Sequence, residues 1–137
     1  MSIQEQQECR RAYYQEAIRY MDNAKETLQK ACKEGNFYND RKYVKTACGT
    51  AYNGVLTALD GYFLTKGIEK PKKNRRTVAY YQEHIAQWDK KLLQYFNSVY
   101  ETLHLWGYYD GILNATIIKA GFDDAYTVIG YVKPLDA

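Results

Sequence analysis

Glu101-Thr-Leu-His104 places a carboxylate and an imidazole three residues apart, the unit that di-iron helical bundles use in pairs with two further glutamates. A second unit would need a glutamate three residues before the other histidine, His84, and Tyr81 stands there. One unit supplies half a site, so Glu101 and His104 read as a surface pair and no metal is expected. Gly49 to Gly54 has the outer spacing of a phosphate-binding loop, but Val55 and Leu56 follow where that loop needs Lys and then Ser or Thr. Cys48 falls in an apolar stripe with nothing in the sequence to orient a histidine toward it. Asp123-Asp124 reads as a solvated face near the start of the last helix. These spacings yield no catalytic residue and no cofactor.

Two clusters point to binding instead. Residues 66–76, KGIEKPKKNRR, set six cations against Glu69 alone, so one short run carries more positive charge than the net +3 of the whole chain. With tyrosines just beyond it, the run could track a phosphate backbone and stack a base. Lys70, Lys72, Lys73, Arg75, Arg76 and Tyr80 are the nucleic-acid candidates, and a solvated interhelical loop is the alternative. The second cluster is the aromatic run around GYYDG, Gly107 to Gly111. Gly107 reads as a helix stop and Asp110-Gly111 as a turn. Trp106, Tyr108 and Tyr109 either pack back under that turn or anchor a protein partner or a second copy of the chain.

The elements that must carry these clusters are helical. Cys9, Tyr13, Ala17, Tyr20, Ala24, Leu28 and Ala31 recur every three or four residues, with Gly35-Asn36 as the expected cap. Asn39 or Asp40 can open a second helix whose apolar face runs through Val44, Cys48, Ala51, Val55, Leu59 and Tyr62. Within it Ala47, Ala51, Gly54, Ala58 and Gly61 form a seam of small residues. Each glycine there costs up to ~1 kcal/mol against alanine, which is tolerable where a neighbouring backbone or ring comes close. Thr77 can cap a third helix through Ile85, Leu92, Phe96 and Leu103, with Asp89 able to cap a new helix if the run breaks near Trp88. A last helix uses Ile118, Phe122, Ala125, Ile129 and Val132 before Pro134. No strand-like alternation is present.

The expected fold is therefore all-α, a four-helix up-and-down antiparallel bundle in one domain spanning 1–137, with helices at about 5–34, 40–66, 77–106 and 115–132. At 137 residues such a domain buries roughly two thirds of its unfolded surface and needs no staple. Its 15 tyrosines against 4 phenylalanines give it a broad boundary layer or a recognition surface. No window approaches the ~18 apolar residues of a membrane span, and the polar start MSIQEQQECRR does not read as a charged-then-apolar leader, so none is expected. Cys9, Cys32 and Cys48 lack zinc or redox spacing and read as buried free thiols, so a cytoplasmic location is expected.

Tyr43-x-x-x-Ala47-x-x-x-Ala51, running through Val55-Leu56-x-Ala58-Leu59 to Tyr62-Phe63-Leu64-x-Lys66-Gly67, resembles the second helix of HEPN-type bundles. Over roughly residues 10–133 the chain is also similar to a small uncharacterised bacterial family. The matching stretches are Tyr43 to Leu56, Asp89 to Leu93 and Leu103 to Gly111. The resemblance implies a HEPN-like fold and no assigned activity. HEPN proteins include ribonucleases with an Arg-x(4–6)-His motif and non-catalytic partners of nucleotidyltransferases. Here Thr77, Val78 and Ala79 stand where His84 would need its arginine, Asn97, Ser98 and Val99 where His104 would, and Arg76 precedes His84 by eight. No catalytic residue carries over. The expected function is a non-catalytic binding module with a tyrosine-rich contact surface, or alternatively an RNA-binding or RNA-processing protein using the basic run.

Overall fold

Helix α1 (Ile3–Gln29) begins where the Ser2 hydroxyl accepts a hydrogen bond from the Glu5 amide at 3.1 Å, one of the donors that a helix start leaves without a partner. The computed structural model describes residues 2–68 and 76–135. A two-residue hairpin follows α1, with β1 (Lys33–Glu34) paired antiparallel to β2 (Phe37–Tyr38). Next come α2 (Arg41–Thr65), α3 (Val78–Ala86), α4 (Lys90–Val99) and α5 (Ala115–Tyr131). Between the last two, α4 runs directly into a π-helical segment, Tyr100–Tyr109. The chain is thus mostly helical with one very small sheet, and no described helix is long and apolar enough to cross a membrane.

The seam on α2 sets the main helix contact. A Cβ on Gly61 would lie 2.5 Å from Tyr13 Cβ, and one on Gly54 would lie 3.0 Å from Tyr20 Cβ and 3.2 Å from the Ala17 carbonyl oxygen. Seven residues forward on α1 thus match seven residues back on α2, which makes the two helices antiparallel neighbours. α2 carries the largest set of buried residues of any helix, Val44 through Phe63. Its far side meets the π-helical segment, where Cys48 occupies the space that a Gly107 side chain would need. Ile118, Phe122, Ala125, Ile129 and Val132 of α5 complete the core. Arg10 on α1 donates from Nε and Nη2 to the Val132 carbonyl at 3.1 and 3.0 Å, a cation at the negative end of α5.

Four local expectations are corrected. α1 stops at Gln29 rather than near 34, with Cys32 at φ +54° behind it, and Gly35 at φ +58° turns the hairpin instead of capping a helix. Distant partners hold that strand pair: Tyr38 N–H donates to Leu113 O at 2.9 Å and Ala115 N–H to Asn36 O at 2.8 Å. The helix expected over 77–106 is broken, because Asp89 is extended and its Oδ1 accepts from Lys91 and Leu92 amides at 2.9 and 3.0 Å, starting α4 afresh. Gly107 does not end a helix. It lies inside the π-helical segment, which reaches Tyr109, and Gly111 at φ +65° makes the turn. Finally, only Cys48 is fully buried, while Cys9 is half-buried and Cys32 exposed.

Candidate functional site

Bonding in the π-helical segment skips to the fifth residue, as Asp110 N–H to Leu105 O at 3.0 Å shows at its end. Its residues Tyr100, His104 and Tyr108 share one side. The His104 ring stacks on Tyr100 at 5.3 Å and on Tyr108 at 5.9 Å between centroids, the second pair within 9° of parallel. From α2, Tyr52 stacks on the same imidazole at 4.7 Å. Gly49 makes room for this arrangement, since a Cβ there would meet the Tyr108 ring at 2.8 Å. Tyr109 closes the end of the row, edge-on to His104 at 5.0 Å.

Tyr52, Tyr100, His104 and Tyr108 line a groove of about 640 Å³ between α2 and the π-helical segment. Thr46, Thr50 and Asn53 contribute polar groups from α2, Arg76 and Thr77 from just before α3, and among the described residues no carboxylate lines it. Burial lowers the His104 pKa below its ordinary 6.5, so the ring is neutral at pH 7. Burial, and then the neighbouring Tyr100, raise that of Tyr52. The groove therefore presents uncharged flat rings, hydroxyls and an amide, with one guanidinium at its edge. That chemistry suits recognition of a planar or apolar group better than proton transfer.

The guanidinium is not a free cation. Arg76 forms an ion pair with Asp60, whose side chain is 9% exposed, and the Tyr81 hydroxyl donates to the same carboxylate at 2.8 Å. Tyr80 does not line the groove. It belongs to a second ring cluster, edge-on to Phe63, Tyr81 and His84. Lys70, Lys72, Lys73 and Arg75 lie outside the described residues. Of the aromatic candidates, Tyr108 lines the groove while remaining 45% exposed, and Tyr109, 62% exposed, does not line it but packs edge-on against His104 and Tyr108. Trp106 is also exposed, but it is not among the lining residues.

Glu101 and His104 do not act together: the carboxylate is exposed and the imidazole sits among rings. Among the described residues no three His, Cys, Asp or Glu side chains are grouped to hold a metal. Asp123-Asp124 is only half a solvated pair. Asp123 meets Lys119 at 2.9 Å, but Asp124 accepts from Ser98 Oγ at 2.6 Å and ties α5 to α4. Sequence reasoning missed Tyr52, Tyr100 and His104 as a set. The spacing Tyr100-x-x-x-His104-x-x-x-Tyr108 was a usable signal for three of the rings; nothing local pointed to Tyr52.

A family model described as Domain of unknown function (DUF5618) matches residues 12–134. A solved structure, of a protein of unknown function from Dyadobacter fermentans, is similar over 96% of this chain and 97% of that one, at 47% identity and a TM-score of 0.81. No curated protein matches the chain.

Proposed function

Since the chain belongs to the DUF5618 family, whose description assigns no activity, we propose from the geometry that it is a non-catalytic binding module. Its recognition surface is the ring-lined groove, and its fold is an up-and-down four-helix bundle of the HEPN-like kind. The four long helices would be α1, α2, α4 with its π-helical continuation, and α5. The occupant is a planar or apolar side chain inserted by a partner protein or by a second copy of this chain. One observation supports this above the others: four stacked rings, Tyr52, Tyr100, His104 and Tyr108, border an open groove that, among the described residues, no carboxylate lines. Exposed Tyr109, edge-on to His104 and Tyr108, adds an aromatic side chain of the kind found at binding hot spots, and Trp106 is exposed on the same segment. Three unpaired thiols support a cytoplasmic setting.

The double substitution Tyr108→Ala and Tyr109→Ala tests the proposal. Association, read by sedimentation velocity for self-assembly and by affinity capture for other proteins, should weaken while the helical signal is unchanged. Equal association of the variant and the parent protein would sink the proposal. A second reading, binding of single-stranded RNA, draws on Arg76 at the edge of a surface able to stack bases. A gel shift with total cellular RNA at low and moderate salt separates the two. A shift that fades with salt supports RNA; none at low salt excludes it.

A further inference from the structure

A second cleft, of about 530 Å³, opens on another part of the molecule, between α1, the hairpin and the part of α5 from Ala115 to Tyr126, and it shares no described lining residue with the groove. Its floor is apolar, made by Tyr38, Phe122 and Tyr126, and its rim carries Lys25, Lys33 and Lys119. The three lysines come from three different elements and face one acid, Asp123, which Lys119 already engages at 2.9 Å. Among the described residues neither Lys25 nor Lys33 has a carboxylate partner. Lys25 Nζ instead stands 5.2 Å from the Tyr126 ring centroid, so its charge is held above the aromatic floor. Thr116, in the first turn of α5, also lines the cleft and places the positive end of a 17-residue helix there.

We propose that this cleft binds a small organic anion with an apolar body, of the aryl or medium-chain carboxylate class. The volume falls in the range of small-molecule sites, and such sites combine an apolar lining with a few charged groups that orient the ligand. The anionic head sits between Lys25 and Lys33, and the body lies on the three rings. An adjoining hollow of about 450 Å³ shares Lys25, Leu28, Lys33 and Tyr38 and extends past Gln29 to Cys32, which leaves room for a chain longer than one ring. Simple phosphate would leave the aromatic floor uncovered, and an uncharged hydrophobe would leave the two lysines without a partner.

The test is a fluorescence titration of the full chain with 8-anilinonaphthalene-1-sulfonate, an aromatic anion, and with N-phenyl-1-naphthylamine, its uncharged relative. The sulfonate should bind in preference and be displaced by decanoate but not by decanol. The double variant Lys25→Gln with Lys33→Gln should lose about tenfold in sulfonate affinity at low salt and leave the uncharged probe unaffected. Tyr108→Ala should leave the decanoate-displaceable part of the sulfonate signal unchanged, whatever it does to probe bound in the groove, which separates this site from the groove. Equal sulfonate affinity in the lysine variant, or equal competition by decanol, would overturn the proposal. Displacement by an acidic peptide with none by decanoate would overturn it too, in favour of a protein ligand.

Discussion

Replacing Gly61 by alanine should destabilise the protein, although the same change at Gly130 should stabilise it. Both glycines are helical, and alanine favours a helix by up to ~1 kcal/mol over glycine. Gly130 is near the end of α5 with nothing within 4 Å of a new Cβ, so about 0.5 kcal/mol of that gain should appear. At Gly61 the new carbon would stand 2.5 Å from Tyr13 Cβ and 3.0 Å from its Cγ. Tyr13 Cβ is fixed to the α1 backbone, so relief requires moving a helix, and overpacking of this kind costs roughly 1–3 kcal/mol. Less the helix gain, the net expectation is a loss of roughly 1 kcal/mol, or about 0.7 M in urea midpoint for m near 1.5 kcal/mol/M. Tyr13→Ala should not rescue Gly61→Ala, because alanine keeps the obstructing Cβ. Paired urea titrations with unchanged m-values decide the matter. A midpoint raised equally by both glycine substitutions, or restored by Tyr13→Ala, would refute close packing through this seam.

His104 is held below its ordinary pKa by burial. The unfolded chain therefore binds the proton first, and stability should fall as pH drops from 6.5 toward the folded-state value and be flat above. Urea midpoints across that window should show a shallower pH slope for His104→Phe than for the parent, and equal slopes would refute this. Arg76→Ala should cost about 1–3 kcal/mol, between the exposed and buried limits for an ion pair, because Asp60 is 9% exposed and keeps Tyr81 as a partner; thermal denaturation reads it. Cys32 should react first with a disulfide reagent, while Cys48, whose thiol burial pushes up to about 12, should be modified only as the protein unfolds. Mass spectrometry of partly labelled protein checks the order.

Periodicity and capping chemistry are local properties, and the sequence determined most of what depends on them. Asp40, Thr77, Asp89 and Asn114 each cap a helix start through a side-chain oxygen, and short-range geometry alone dictates that role. The small-residue seam on α2 was legible for the same reason: glycine inside a helix has a cost that only a close neighbour offsets. Its partner tyrosines were not legible, since no local rule says that Tyr13 faces Gly61.

Where a backbone group finds its partner far along the chain, the tertiary structure decided. Gly35-Asn36 suits a helix cap or a hairpin loop equally well, and hydrogen bonds from the hairpin to Leu113 and Ala115 settle it as a hairpin. Gly107 reads as a stop from its neighbours, yet contact with Cys48 places it inside a helix. The candidate sites are of this second kind. The groove needs Tyr52 of α2 set against His104, and the cationic cleft needs lysines from α1, β1 and α5 around one apolar floor. The sequence by itself determined that these rings and charges are present and, Lys33 of β1 apart, which helices carry them. Only helix packing, which brings residues distant in the chain within a few ångströms of one another, decided which of them share a surface.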